Sequence, residues 1–337
     1  MQNALDTVFT LSAAALMAGL SLTAFARTDA GDPTSGWRDG AYQRGFEERF
    51  ERSVPTHEGS VALWAGVRWA LFNEPSAGAI ASKDGWLFTS EEFIEPSETR
   101  DFALELERVA ARLSGAGINL VPVVIPDKAR MQGHRLARGR SDGFENRYAR
   151  ALGTIGQADL PVIDLRPVLD FNYSYQRTDT HWSPEGARRV AGRIAARLAD
   201  FDLPKTVVET KSNGVAGFEG DLLTFVATGA FSDLVGPAAE GIATFETSVA
   251  ASGDLFGDAV VPVALVGTSY SAKPEFHFAG FLKQSLQADV LNASVVGQGP
   301  FAPMDTFLTE LEQLSSPPSL VLWEIPERFL TSRSPLQ

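Results

Sequence analysis

Four histidines occur in the 337-residue chain, and His181 follows an aspartate at a spacing that suits acid–base chemistry. In the stretch QRTDTHWSPEG, residues 176–186, Asp179 and His181 flank a single threonine just ahead of a helix start. Ser183 is a good N-cap, and Pro184 fits the first helical position. Pro184 also drives Ser183 towards an extended conformation. The residues before it are therefore read as extended, and in extended chain positions i and i+2 project to the same side. From there Asp179 can accept the Nδ1–H of His181 and leave Nε2 free as a base. A hydrogen-bonded pair that only ties a loop together is the alternative.

A base needs a nucleophile, and VALVGTSYSAK (263–273) offers one. An apolar, β-branched run ends in Gly267-Thr268, and Ser269 follows. Gly267 permits a tight turn that would expose the Ser269 hydroxyl at a strand's carboxyl end. Ser271 is a rival two residues on.

These segments need a scaffold, and the pattern of elements supplies it. A helix is read over 60–72, and GAIASKDGWLFTS (78–90) reads as two short strands around an Asp84-Gly85 turn. The stretch 97–117 has an apolar 3.6-residue period and ends in glycines. INLVPVVIP (118–126) is the near-continuous apolar run of a strand buried on both faces. Further strands are read at 160–165, 260–267, 289–296 and 319–326. Helices are read at 184–199, 278–287 and 304–314. This alternation predicts an α/β fold with a doubly wound, mostly parallel sheet, in which active groups gather beyond the carboxyl ends of the strands. Residues 205–258 fit no such unit and are read as an insertion.

Composition sets the outer limits. The chain is 44% hydrophobic and 21% charged, with a net charge of −13. That balance argues against non-specific nucleic-acid binding, which needs clustered cations, but permits a local basic pocket. With no cysteine in the sequence, thiol nucleophiles, disulfides and Cys-ligated zinc are excluded. No His pair has ligand spacing and no phosphate-binding glycine motif occurs, so neither a metal nor a cofactor is expected. Val8 to Ala26 is apolar and uncharged and ends Ala24-Phe25-Ala26, the small-x-small form of an export cleavage site. Residues 1–26 are read as a signal peptide, with an uncleaved inner-membrane anchor as the competitor. Residues 27–77 form an N-terminal segment, and 78–337 the main domain.

Four motifs in order carry a resemblance. KDGWLF near the start, DTHW before a helix, GTSYS after an apolar strand and WEIPERFL near the end together resemble the AlgX/AlgJ-like alginate O-acetyltransferases. The likeness spans roughly residues 75–332. It implies an SGNH-hydrolase-like fold of permuted topology in the bacterial periplasm. On that resemblance Asp179 and His181 match the family's Asp-x-His and Ser269 its nucleophile. The family also implies an acetyl donor supplied by a membrane partner, and association with an exopolysaccharide secretion complex. The chain stops soon after the domain, a layout nearer the AlgJ branch, or a truncated AlgX-like protein, than the full AlgX branch, which carries a further carbohydrate-binding module.

The remaining candidates are placed around that triad. Lys128 and Arg130, with Asp127, follow a buried strand and should face the same rim. There they could hold a uronate carboxylate, or else lie in a solvated loop. Trp182 and Tyr270 flank the triad and could stack on a sugar ring or pack in the core. The backbone N–H of Ser269 and that of Gly297, in SVVGQGPF, are candidate oxyanion donors, with an ordinary turn as the alternative for Gly297. Glu324, Glu327 and Arg328 are read as a structural ion pair, and His134 and His277 have no supporting acid. The function expected is transfer of acetyl groups, through an acetyl-serine, to a polysaccharide acceptor, anionic or neutral, such as alginate. A carbohydrate acetylesterase and a non-catalytic polysaccharide-binding or assembly subunit are the rivals.

Overall fold

A computed structural model of the chain describes residues 2–32, 36–97, 100–249, 261–314 and 316–332. It separates into two compact units, Met1–Ser76 with Val226–Gly236, and Ala77–Phe225 with Pro237–Gln337. The first holds three helices, α1 (Gln2–Arg27), α2 (Ala41–Ser53) and α3 (His57–Phe72). The expected N-terminal segment is thus helical and takes in 226–236 from the insertion. Among the described residues no helix is long and apolar enough to cross a membrane.

The second unit opens with an antiparallel pair, β1 (Ala79–Ala81) and β2 (Leu87–Thr89). Asp84 and Gly85 between them have φ of 58° and 72°, the left-handed geometry that a tight hairpin demands and that Asp and Gly supply most readily. Next come α4 (Phe102–Gly115), capped by Asp101 on the N–H groups of Ala103 and Leu104, and β3 (Asn119–Ile125). They are followed by α5 (Asp142–Gln157) and α6 (Pro184–Arg197), and later by β6 (Val263–Val266), α7 (Phe278–Leu286), β7 (Val290–Asn292), α8 (Phe301–Glu310) and β8 (Leu320–Pro326). The four long-range strands form one parallel sheet in the order β3-β8-β6-β7.

Its two faces follow from strand alternation. Val121, Val123 and Ile125 of β3, with Leu320 and Leu322 of β8, pack into the core that holds α6 and α7 residues. Leu120, Val124, Val321, Trp323 and Ile325 pack into the core on the other face, with residues of α4, α5 and α8. Both faces are apolar because both are covered, as a doubly wound sheet requires. Pro122 sits in β3, an edge strand of the sheet, where a missing ladder donor is tolerated.

One expectation is corrected. LPVIDL (160–165) is not a strand. Pro161 brings no N–H, and the Leu165 N–H is taken by the Tyr148 hydroxyl at 3.0 Å rather than by a neighbouring chain. Ile163 and Leu165 are nonetheless buried, so apolarity marked core without marking a ladder. The segment read as an insertion contains an antiparallel ribbon of β4 (Val208–Phe218) and β5 (Glu240–Val249). Its end at 250–258, the start of the 260–267 strand, positions 98–99 of the expected 97–117 helix and the tail 333–337 lie outside the described residues.

Candidate active site

Asp179, His181 and Ser269 meet above the carboxyl ends of the sheet. Ser183 accepts from the Gly186 N–H at 3.1 Å with φ −75° and ψ 161°, and α6 starts at Pro184. That cap fixes the chain immediately after His181. Asp179 Oδ1 accepts both the His181 backbone N–H (2.8 Å) and the ring Nδ1–H (2.6 Å). On the far side of the ring, Nε2 lies 2.7 Å from Ser269 Oγ. A carboxylate only accepts, so Nδ1 carries the hydrogen and Nε2 is left to accept from the serine.

The imidazole is wedged between Tyr270 (centroids 4.6 Å apart) and Phe276 (5.0 Å), which keeps its plane on that line. Asp179 and His181 are both buried. Burial alone would raise the Asp179 carboxyl. The hydrogen bond and charge of His181, with the N–H groups of Asp221 and His181, reverse that and hold it well below the usual carboxylate range. A carboxylate that stays charged keeps its grip on Nδ1 across the whole working pH range.

The turn that carries Ser269 is held from beneath by a residue whose part the sequence did not disclose. Glu324 of β8 is fully buried and accepts the Thr268 N–H (2.7 Å), the Thr268 hydroxyl (3.0 Å) and the Ser271 hydroxyl (3.0 Å). Burial pushes its carboxyl up to about 7. Thr268 in turn caps the short helix Ser269–Ala272. Ser271, spent on Glu324 and itself buried, is no rival nucleophile. The glycine before it is explained as well. A Cβ on Gly267 would stand 2.5 Å from Glu324 Oε2 and 2.7 Å from Glu324 Cβ. Gly267→Ala should therefore lower stability by about 1–3 kcal/mol, as overpacking does, and displace Thr268 and Ser269. A denaturant melt read beside turnover checks this, and an unshifted midpoint would contradict it.

Asp221, from the insertion, is the second residue missed. Its N–H donates to Asp179 Oδ2 (2.8 Å), and its Oδ1 accepts the Thr180 N–H (2.8 Å) and hydroxyl (3.0 Å). Its Oδ2 stands 3.4 Å from His181 Nδ1 and 3.9 Å from Lys273 Nζ. Asp179, His181 and Asp221 bring donor atoms within 4.8 Å of one another, but the set does not suit a cation. The Nδ1–H points into it, and Oδ1 of each aspartate already accepts two hydrogen bonds.

The four residues expected to bind substrate are all turned inward. Lys128 is fully buried and sends its ammonium to the backbone oxygens of Leu87, Arg177 (3.1 Å) and Asp179 (2.8 Å). Three donors on three carbonyls leave none for a ligand. Burial lowers it to about 8. Its work is to brace the loop that carries Asp179. Arg130 is forked on Glu327 (2.9 and 2.6 Å) and also meets Glu145. Asp127 takes Arg140 and Arg147, each at 2.6 Å. The expected basic rim is thus a closed charge network.

Trp182 is wholly buried against Tyr270 (5.1 Å) and Phe278 (4.6 Å), with no face open to a sugar. Tyr270 is buried and donates its hydroxyl to the Thr180 carbonyl at 3.0 Å. Glu324 and Glu327 do not pair with Arg328, whose ion-pair partner is Glu91. Gly297 has φ 80° in a turn that lines a cavity whose walls do not include Ser269. His277 meets the Thr247 hydroxyl at 2.6 Å.

Residues 79–327 match the family described as an SGNH hydrolase-like domain, acetyltransferase AlgX. A probable alginate O-acetylase AlgJ from Pseudomonas aeruginosa is 36% identical across 88% of this chain and 82% of its own length. The alginate biosynthesis protein AlgX of the same organism is 32% identical over 74% of this chain and 56% of its own. Among solved structures, the O-acetyltransferase domain of Pseudomonas putida AlgJ superposes with a TM-score of 0.67 at 30% identity, covering 78% of this chain and 95% of that one.

Proposed function

Because the chain belongs to this family of SGNH hydrolase-like acetyltransferase domains, we propose that it moves acetyl groups onto hydroxyls of alginate or a similar exopolysaccharide, with Ser269 as the nucleophile. The observation that carries the reading is the unbroken chain from Asp179 through His181 to Ser269 Oγ, at 2.6 and 2.7 Å.

In the first half-reaction His181 Nε2 takes the Ser269 proton as Oγ attacks the acetyl carbonyl of the donor. The oxyanion forms beside the Ser269 backbone N–H, which has no acceptor among the described residues. Collapse breaks the bond to the donor's leaving group, which leaves with the proton from Nε2. In the second half an acceptor hydroxyl gives its proton to Nε2 and attacks the acetyl-serine. Collapse then releases the sugar ester and returns the proton to Ser269. Asp179 keeps Nδ1 as the donor throughout and meets the imidazolium's charge without itself taking a proton.

The setting that goes with this reading is export to the periplasm, with the donor delivered from a membrane partner within an exopolysaccharide secretion complex. The family membership and the apolar segment of residues 8–26 support it.

Incubation with a chromogenic acetyl ester tests the reaction. Intact mass should rise by about 42 Da, the mass of one acetyl group on a covalent intermediate, and the adduct should decay fast only when an oligosaccharide acceptor is added. Decay at the same rate in water alone would make the enzyme an esterase. Absence of any adduct, with no released chromophore, would reject covalent catalysis at Ser269.

A further inference from the structure

A cavity of about 580 Å³ is lined in part by Arg328, Phe329 and the start of α8, and the half-reactions above make no use of it. Arg328 links it to the turn that carries Ser269. Its guanidinium carbon is 5.5 Å from the ring centre of Tyr270, the residue after Ser269, and 5.1 Å from that of Phe329 in the cavity wall.

Positive potential reaches this cavity from independent sources. Arg328 is only 8% exposed, and nothing closes a two-point fork on it as Glu327 does on Arg130. The Glu91 carboxylate stands 2.9 Å from its Nε but off the direction of the N–H, which is left buried without an acceptor. The second source is the N-terminus of α8. It has no acidic residue in its first turn and no side-chain cap, and Phe301 and Ala302 line the cavity with their N–H groups outside the helix's own ladder. Arg100, over the Phe301 ring at 5.2 Å, adds little, because Asp305 (3.0 Å) and Glu105 (3.5 Å) already pair with it. Of the acids present, Glu95 is engaged by Ser332, and Glu91 is largely exposed, with 61% of its side chain in solvent.

On the reading of function given above, we propose that this cavity is an acceptor subsite that takes the carboxylate of a uronate residue. A planar guanidinium with open donors matches a carboxylate's two oxygens, and the helix N-terminus supplies further N–H groups. The rings of Phe301 and Phe329 suit the C–H faces of a pyranose. Two glutamates at the wall disfavour a doubly charged phosphate. A neutral sugar would leave Arg328 with the largely exposed Glu91 as its one ion-pair partner, so the site favours a charged group. A carboxylate held there sits on Arg328, whose guanidinium covers the ring of Tyr270, the residue after Ser269.

The test compares a defined oligomannuronate with its carboxyl-reduced, neutral counterpart, on the full chain. Two measurements are made: kcat/KM for acetyl transfer, and direct calorimetric binding to Ser269→Ala. Wild type should prefer the charged oligomer by roughly tenfold or more, and Arg328→Gln should bring the ratio near unity, because the contact then no longer distinguishes the two. Expressing the result as a ratio cancels any loss common to both acceptors. Ala302→Asp serves if Arg328→Gln does not fold. An acid in the first turn favours the helix, yet it should repel the carboxylate and erase the preference too. Charged-over-neutral preference that survives in both variants would overturn the subsite, as would its absence from wild type. Should no variant form an acetyl-enzyme, the function reading fails, and the binding ratio in Ser269→Ala still decides the subsite.

Discussion

Ser269→Ala should lower acetyl transfer by about 10⁶-fold and remove the covalent adduct, the loss seen when a triad nucleophile is deleted. The turn should survive. It is held by Thr268 and Glu324, and Ser269 lends its side chain to neither. Asp179→Asn should lower turnover by about 10⁴-fold, less than loss of the nucleophile. An amide in that place still offers one oxygen to Nδ1–H. Its NH₂, however, then meets the Asp221 N–H that Oδ2 now accepts at 2.8 Å. Either that donor is stranded or the amide flips and turns His181 to the wrong tautomer. Single-turnover mass spectrometry separates the effects. Ser269→Ala should show no adduct at any time, whereas Asp179→Asn should form it slowly. Equal, undiminished acetylation in Ser269→Ala would remove Ser269 from the mechanism.

The meeting of Asp179, His181 and Ser269 was legible because its signals are local. Asp179 and His181 are two residues apart, Ser183 and Pro184 fix where α6 begins, and Gly267 ends β6 in a turn. What surrounds the trio was not legible, because it depends on contacts remote in sequence. Glu324 reaches Thr268 across 56 positions and Asp221 reaches Asp179 across 42, and neither carries a local mark. Lys128 misled for a related reason. A cation after a buried strand looks exposed until Leu87 and Arg177, elements away, supply the carbonyls that bury it. Periodicity found the parallel sheet but overextended it at 160–165. An apolar run reports burial, and it cannot report whether a neighbouring strand is there to pair.

Glu324 gives the second large effect, and its sign follows from burial. Its carboxyl is pushed up to about 7 in the folded protein by loss of solvent, against an ordinary 4.5. Between those values the folded state holds a proton that the unfolded state has released, so stability falls as pH rises through that window. Full ionisation above it costs roughly 3 kcal/mol, at about 1.4 kcal/mol per unit. Glu92, also buried and raised to about 7, contributes to the same wild-type slope, so the comparison must be with a variant rather than across pH alone. The Glu327 carboxyl is raised by burial as well. Glu324→Gln removes one of these titrations. Its carbonyl can still accept from the Thr268 N–H and the Ser271 hydroxyl, which share one carboxylate oxygen, and the Thr268 hydroxyl can rotate to accept from its NH₂. Relative to wild type the variant should gain several degrees in melting temperature between pH 5 and pH 8. Its turnover should remain within about tenfold, since the turn keeps its partners. Glu324→Leu keeps none of them. It strands one buried N–H and two hydroxyls at about 1–3 kcal/mol each, and it should lower turnover by about 10²-fold by letting Ser269 drift from Nε2. A wild-type-minus-Gln difference that does not change between pH 5 and pH 8 would mean that Glu324 stays charged in the core. Hydrogen bonds from three donors would then be outweighing its desolvation.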